Sequence, residues 1–345
     1  MNTSGAVTDE RIRALPKAHL HLHFPRTIRP STLIELAGRT GLSLAGFHEF
    51  SNLPEFLARP PINQCIGSVA DLQRICTELV EDEARDGVLY AEPMIVLHRF
   101  APRLGSIDKV FRLIREAFDQ AGAAHGVEVG IMLGFSRHGD TPEEIEELAR
   151  FAARHAGDGV VAFGFGGDEE RAGSEPFAHA CAIARAAGLL VVPHAGESMG
   201  AASVATALDI LRPDRIAHGV RAVEDERVLA RLAEEYVTCD VCPTSNLRLG
   251  VAPRIEEHPL RRMLEAGVPI TLNADDPVDF GVTCGGEYAL IREAFGLSDE
   301  HLAAIARTSA RAGGASAATK DKIAHGIRRW LADAPDSRSS NRYTT

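Results

Sequence analysis

AHLHLHF, residues 18–24, is an apolar run with histidines two apart, and it reads as a β-strand that carries His21 and His23 on one face. Seven more short apolar or β-branched runs follow: VLYAEPMIV (88–96), VEVGIMLGF (127–135), VVAFGFG (160–166), LLVVPHAG (189–196), RIAHGV (215–220), YVTCDVC (236–242) and PITLNAD (269–275). Longer stretches of helical period separate them. In SIDKVFRLIREAFDQAGAAHG, Ser106 offers an N-cap. In TPEEIEELARFAARHAG, Thr141, Pro142, Glu143 and Glu144 make a helix start and Gly157 a stop. Eight such units predict an α/β fold, a (β/α)8 TIM barrel. A doubly wound open sheet would be expected to show a glycine-rich nucleotide fingerprint after its first strand, and none stands there.

Extra helices are expected after strand 1 and at the C-terminus. Segment 44–62, with Phe47, Phe50, Leu53, Phe56 and Pro60–Pro61, interrupts the first connection. It reads either as a lid over the barrel mouth or as a helix packed on the barrel side. Residues 298–334 add two helices, and 336–345, DSRSSNRYTT, is expected to fray. The motif order favours one barrel domain over 1–345, ordered over 9–335.

Apolar residues make up 45% of the 345, charged residues 25% and aromatics 6%, a globular balance with material for a large core. Lys+Arg 37 against Asp+Glu 48 gives a formal charge of −11, with the basic residues scattered, which argues against a nucleic acid partner. No run approaches the roughly 20 apolar residues that cross a bilayer, and the N-terminal stretch lacks an apolar core behind a basic start. A cytoplasmic protein without a membrane partner is expected. Six cysteines are too few for a disulfide scaffold. Cys239 and Cys242 stand three apart on a strand and point to opposite faces, so they read as buried apolar cysteines, not a redox or zinc pair.

Polar residues interrupt the apolar strands at their C-terminal ends, the face that carries function in a barrel. His194 ends the fifth strand in PHAGE, His218 the sixth in IAHG, and Asp275-Asp276 the eighth in NADDP. A buried polar group without a partner costs about 1–3 kcal/mol, so their convergence needs a reason. With His21 and His23 they place imidazoles and carboxylates around one axis. Such mixed ligation suits zinc, with iron, cobalt or manganese behind it. Bound zinc lowers the pKa of its water toward about 7. Glu197, three residues past His194, is placed to face the metal without ligating it; against a partly apolar wall its carboxyl keeps a raised pKa and can deliver a proton. The structural alternative is a glutamate stabilised by a helix dipole.

In order along the chain, LPKAHLHLHFPRTIRP, GFGGDE, PHAGES, RIAHGVR, CPTSNLRLG and NADDPVDFG resemble the signature segments of adenosine and adenine deaminases. The resemblance runs from Leu15 to the end of the eighth unit. It implies one Zn2+ per chain held by His21, His23, His194 and Asp275. It also implies that His218 positions and helps deprotonate the attacking water, which Asp275 touches too. Glu197 would protonate ring N1, Asp276 would bond N7, and the Gly167 backbone would donate to N3. Water attacks C6 and ammonia leaves. Protonating N1 drains electron density from C6 as the oxygen approaches, so acid and metal act on one transition state. The smaller cytidine-type deaminases carry H-x-E with P-C-x-x-C instead, and Cys242-Pro243 is not that motif.

Three positions depart from the family pattern. His19 stands where an acid usually precedes the His-x-His pair, and it is expected to point outward or pack. Glu92-Pro93-Met94 stands where Glu-x-Arg is frequent, so an arginine near the site is missing. Phe24-Pro25-Arg26 stands where a hydrophobic residue, an acid and a glycine are usual. In the family that acid commonly accepts a hydrogen bond from the ribose 5′-hydroxyl. Pro25 cannot, and the match of Thr27-Ile28-Arg29-Pro30 to Ser-Leu-Arg-Pro argues against a slip. Arg26 adds a charged fork suited to carboxylate or phosphate, unless it pairs with a nearby acid or turns to solvent. The expected small-molecule substrate is an aminopurine nucleoside or derivative with an altered 5′ group, an anionic one among the options, in place of plain adenosine's. Deamination of adenine itself is an alternative. Amide or ester hydrolysis on the same zinc machinery is another, which Asp276 and Gly167 argue against. A catalytically silent binding protein would require loss of a ligand or of the acid, and none is lost.

Overall fold

The eight apolar runs form eight strands: β1 (Lys17–Phe24), β2 (Val88–Ile95), β3 (Ile131–Ser136), β4 (Val160–Gly166), β5 (Leu190–Ala195), β6 (Arg215–His218), β7 (Thr238–Val241) and β8 (Ile270–Leu272). They belong to a computed structural model that describes residues 10–137 and 139–333. The stretch 336–345, expected to fray, lies outside those residues. The strands pair in chain order and every pair is parallel. The run at 127–135 is divided: Glu128–Val129 is a two-residue strand against β2, and β3 starts at Ile131.

The circle closes through a thinner seam than its other ladders. β1 and the chain just past β8 share one isolated bridge, Leu22 with Asp275. In it the Asp275 N–H donates to the His21 carbonyl at 3.1 Å and the His23 N–H to the Asp275 carbonyl at 2.9 Å. Asn273 reinforces it, its Oδ1 accepting from the Leu20 and His21 N–H groups at 2.8 and 3.0 Å. The result is a (β/α)8 barrel. Helix Asp299–Ala312 packs on both β1 and β8, and the Ser309 hydroxyl accepts from the Ala18 N–H at 3.1 Å.

β1 also carries one extra residue against β2: His19 pairs with Ala91, but Leu22 pairs with Pro93. A bulge resets the alternation of side chains. His19 therefore leaves the face of His21 and His23 and packs outward, its Nδ1 2.9 Å from Glu83 on helix Val69–Arg85. The helix caps are those the sequence supplies. Ser106 accepts from the Lys109 N–H at the start of Ile107–His125, and Thr141 with Glu144 forms a capping box on Pro142–Arg154. That helix ends before Gly157, which takes a left-handed φ of 80°.

Two features bound the site. Above it, segment 44–62 forms helix Leu53–Leu57, whose Leu53 and Phe56 pack on Leu249 and Phe280 from the loops after β7 and β8. This places the segment over the C-terminal mouth, not on the barrel's flank. Below, the interior holds an apolar layer of Met94, Met132, Ala162 and Val192 and a buried ion network. Arg215 on β6 donates to Glu92 at 2.5 Å and to Asp240 at 2.9 Å. The Tyr90 hydroxyl and Gly314 N–H bond the second Glu92 oxygen at 2.7 and 2.9 Å. The arginine missing from Glu92-Pro93-Met94 is thus matched by one on β6, which serves the barrel interior.

Candidate metal centre and active site

The predicted residues converge at the strand C-termini. His21, His23 and His194 bring ring nitrogens within 4.8 Å of one another; Asp275 makes such groups with His21, with His23, and with Glu197 and His218. The His21 ring centroid lies 5.1 Å from that of His23 and 4.8 Å from those of His194 and His218. Asp275 Oδ1 is 3.3 Å from His21 Nε2 and 3.3 Å from His23 Nδ1. Among the described residues, His21 Nε2, His23 Nε2, both His194 nitrogens and Asp275 Oδ1 are buried without a hydrogen-bond partner. Each orphan costs about 1–3 kcal/mol, and a divalent cation satisfies imidazole and carboxylate lone pairs together. The four residues therefore fit a metal.

The surroundings prepare them for it. His21 Nδ1 faces the Asp240 carbonyl at 3.3 Å, and a proton there leaves the Nε2 lone pair free. Cys242 Sγ lies 3.5 Å from the same Nδ1. Burial pushes its thiol well above the usual range, so it neighbours the ligand as S–H. Sequence reasoning placed Cys242 in apolar surroundings and missed this contact. Burial, then the neighbouring imidazoles, lowers His194 well below the ordinary histidine range and keeps it neutral. Burial disfavours the Asp275 charge too, but His21, His23 and His218 outweigh it and hold the carboxyl well below its usual range. His218 and Asp275 both sit in the left-handed region, at φ 65° and 60°. Such backbone costs about 1–3 kcal/mol per residue and gathers where function needs it.

Glu197 has the opposite environment. Burial first, and then the charges of Asp275, Glu169 and Asp276, raise it well above the carboxylate range, so it keeps its proton. The turn that carries it is pinned by Glu169 of GFGGDE, which accepts the N–H groups of Gly196, Glu197 and Ser198 at 2.9, 2.8 and 2.9 Å. His218 Nε2 is 3.5 Å from Glu197 Oε1 and 3.8 Å from Asp275 Oδ2. Burial, then the His21 imidazole, brings His218 down to about 3, so its ring is neutral near pH 7.

Which nitrogen of His218 holds the proton follows from a chain of donors. The Leu260 N–H donates to His258 Nδ1 at 3.1 Å, so His258 carries its proton on Nε2 and gives it to Asn246 Oδ1 at 3.0 Å. The Asn246 amide then donates to His218 Nδ1 at 3.4 Å. His218 is left with Nε2–H toward Asp275 and Glu197. Asn246 and His258 were not singled out from sequence, although Asn246 stands in CPTSN.

A cavity of about 500 Å³ opens over these groups, lined by Phe56, Met94, Leu249, Gly167, Glu197 and Asp276. Burial raises the Asp276 carboxyl. Gly167 has φ 101°, which only glycine adopts readily, and a Cβ on Gly166 would stand 3.2 Å from the His194 ring. Arg26 lines the cavity as well, with Nη1 donating to Asp279 at 2.8 Å and Nε 3.7 Å from Asp276.

A parallel barrel with three imidazoles and an aspartate at its strand ends defines a hydrolase of the amidohydrolase class. The adenosine deaminase family profile matches residues 16–330, and the chain belongs to that family. It is 40% identical to a protein assigned as an adenosine/adenine deaminase in Streptomyces coelicolor, covering 93% of this chain and 99% of that one. It is 34% identical to the aminodeoxyfutalosine deaminase of the same organism, covering 93% and 86%. Among solved structures it resembles an adenine deaminase from Arthrobacter aurescens, with TM-score 0.84, 28% identity and coverage of 92% and 99%. It also resembles an amidohydrolase from Burkholderia ambifaria with bound zinc, with TM-score 0.79, 25% identity and 96% of each chain. The chain is a deaminase-type hydrolase acting on the C–N bond of a cyclic amidine.

Proposed function

We propose that the protein hydrolytically deaminates a 6-aminopurine nucleoside or derivative with a non-standard 5′ group, using one zinc ion. The observation that carries this reading is a buried Glu197 sharing one cavity with Asp276 and Gly167 beside the cluster of orphaned ligands, with burial raising its carboxyl. His21, His23, His194 and Asp275 would hold the zinc, which supplies Lewis acidity and a water acidified toward neutral pH. Glu197 gives its proton to N1, Asp276 hydrogen-bonds N7, and the Gly167 N–H donates to N3, so three edge contacts orient the ring. With its proton on Nε2, His218 donates to the attacking water and orients it, in place of the share in deprotonation that the resemblance implies; Asp275, with acceptor oxygens only, takes the water's proton. The O–C6 bond forms, the amine takes the proton held by Asp275, the C6–N bond breaks and ammonia leaves, and the hydroxyl proton on C6 returns to Glu197 as the carbonyl forms.

Pro25 supports a 5′ group other than the hydroxyl, because it cannot accept that hydroxyl's hydrogen bond. The same residue favours one second reading, deamination of free adenine, which has no 5′ group. Ammonia release from adenine, adenosine and 5′-modified nucleosides by zinc-loaded protein tests both. Turnover of a 6-aminopurine is expected. Turnover of simple amides or esters, with no 6-aminopurine deaminated, would overturn the reading.

A further inference from the structure

The outer half of the cavity is unusually basic for a chain of net charge −11. From the metal cluster outward, His23 meets Asp276 at 3.4 Å, Asp276 faces Arg26 at 3.7 Å, Arg26 pairs with Asp279 at 2.8 Å, and Asp279 pairs with Arg59 at 2.6 Å. Asp279 is fully buried and already serves two guanidiniums. Arg59 comes from the segment over the mouth and is fixed there: its Nε donates to the Phe56 carbonyl at 2.9 Å, and the guanidinium lies 4.0 Å from the Phe56 ring centroid and 4.5 Å from that of Phe50. Its side chain is 6% exposed, and its Nη2 is buried with no acceptor among the described residues.

A third arginine lines the same cavity. Arg99 follows β2 and makes no ion pair or side-chain hydrogen bond among the described residues. Asp140, the acid whose charge it feels, is taken by His98 at 2.8 Å and by the Ser136 N–H at 2.8 Å. The cavity is thus lined by Arg26, Arg59 and Arg99, of which Asp276 and Asp279 pair only the first two. One guanidinium is in excess and one buried N–H lacks an acceptor. Guanidinium forks match carboxylate and phosphate, and rings that hold a fork in place reduce what ordering it costs on binding.

We propose that Arg59 and Arg99 form a binding site for an anionic group, a carboxylate or a phosphate, carried by the substrate, with Arg26 kept beside it by Asp279. This rests on the deaminase reading for the rest of the molecule that carries the anion. The site explains what replaces the 5′-hydroxyl acceptor lost at Pro25: the pocket there is a donor, not an acceptor.

The test compares zinc-loaded wild type with Arg99→Gln, whose exposed side chain holds nothing in the fold together. Turnover is measured on adenosine, adenosine 5′-monophosphate and adenosine-5′-carboxylate. Binding of the corresponding products, inosine, inosine 5′-monophosphate and inosine-5′-carboxylate, is measured by calorimetry. Wild type is expected to favour at least one anionic substrate and the product formed from it by about 10- to 100-fold, the range for hydrogen bonds to a charged group. Arg99→Gln should lose most of that preference and leave the neutral compounds unchanged. The two anionic substrates distinguish phosphate from carboxylate. Equal binding of all three products by wild type, or an equal loss on neutral and anionic compounds in Arg99→Gln, overturns the proposal. If no substrate releases ammonia the deaminase reading fails instead, and product binding still decides the anion site.

Discussion

Glu197 and His218 lie 3.5 Å apart, and their surroundings move their proton affinities in opposite directions: the carboxyl up, the imidazole down to about 3. In the proposed mechanism the acid and the orienting group are thus separated by environment, which is how neighbouring titratable groups take different roles. Glu197→Gln keeps the shape and loses the proton, so kcat should fall about 10²–10⁴-fold with zinc content unchanged. Near-normal kcat would remove Glu197 from the mechanism. Asn246→Asp would set an acceptor against His218 Nδ1 and draw the ring proton there. The expected result is a loss of about 10- to 100-fold in kcat with KM preserved, and 15N ring shifts showing Nδ1–H; unaltered kcat and ring shifts would refute the relay. His21, His23, His194, His218 and Asp275 were legible because each interrupts an apolar strand at its end. Asn246 and His258 were not, because an amide twelve residues from an imidazole leaves no periodic trace. Glu169 acts through backbone amides of another loop, which no spacing announces.

Helix Cys284–Phe295 buries Glu287 behind the cluster, where it accepts the Thr244 N–H at 3.0 and 3.3 Å at the start of helix Pro243–Arg248. Burial outweighs that bond and pushes the carboxyl up to about 8. An unfolded glutamate releases its proton near pH 4.5, so between pH 4.5 and 8 the native state holds a proton that the unfolded state has lost. This contribution to stability is full below that window and declines across it as pH rises. Glu287→Gln keeps an acceptor for Thr244 and does not titrate, so urea midpoints from pH 5 to 8 should fall less steeply than in wild type; parallel profiles would contradict the shift. The elements themselves were readable from short apolar runs alternating with capped helical ones. Their edges were less so: the run at 236–242 shortens to Thr238–Val241 because Tyr236 takes φ 60° and Cys242 already caps the next helix. The place of 44–62 could not be chosen, since its partners Leu249 and Phe280 lie some two hundred residues away.

The barrel as a whole is held unevenly. Seven junctions are strand ladders, while β1 and the end of β8 share a single bridge, Asn273's side chain and the helix packed over them. Lower in the barrel, Arg215 links β6 to Glu92 on β2 and Asp240 on β7, and its removal would leave two buried carboxylates unpaired. Across the seam the ion pairs lie at the mouth, Arg26 with Asp279 at 2.8 Å and His21 and His23 against Asp275, above the level of the Arg215 network. The seam also has the candidate ligands: His21 and His23 stand on its β1 side, and Asp275 supplies both its other side and the bridge itself. A metal held by all three would tie the seam where backbone pairing is thinnest. Metal that binds only the native state stabilises it by RT ln(1 + [L]/Kd), about 2.7 kcal/mol at a hundredfold excess over Kd. Chelation should therefore lower the melting temperature, and the loss should be local before it is global. In hydrogen exchange, the amides of His23 and Asp275 should lose protection on metal removal while those in the β4–β5 ladder keep theirs. Equal protection of His23 and Asp275 with and without zinc would show that the metal does not bridge the seam, and would count against Asp275 as its ligand.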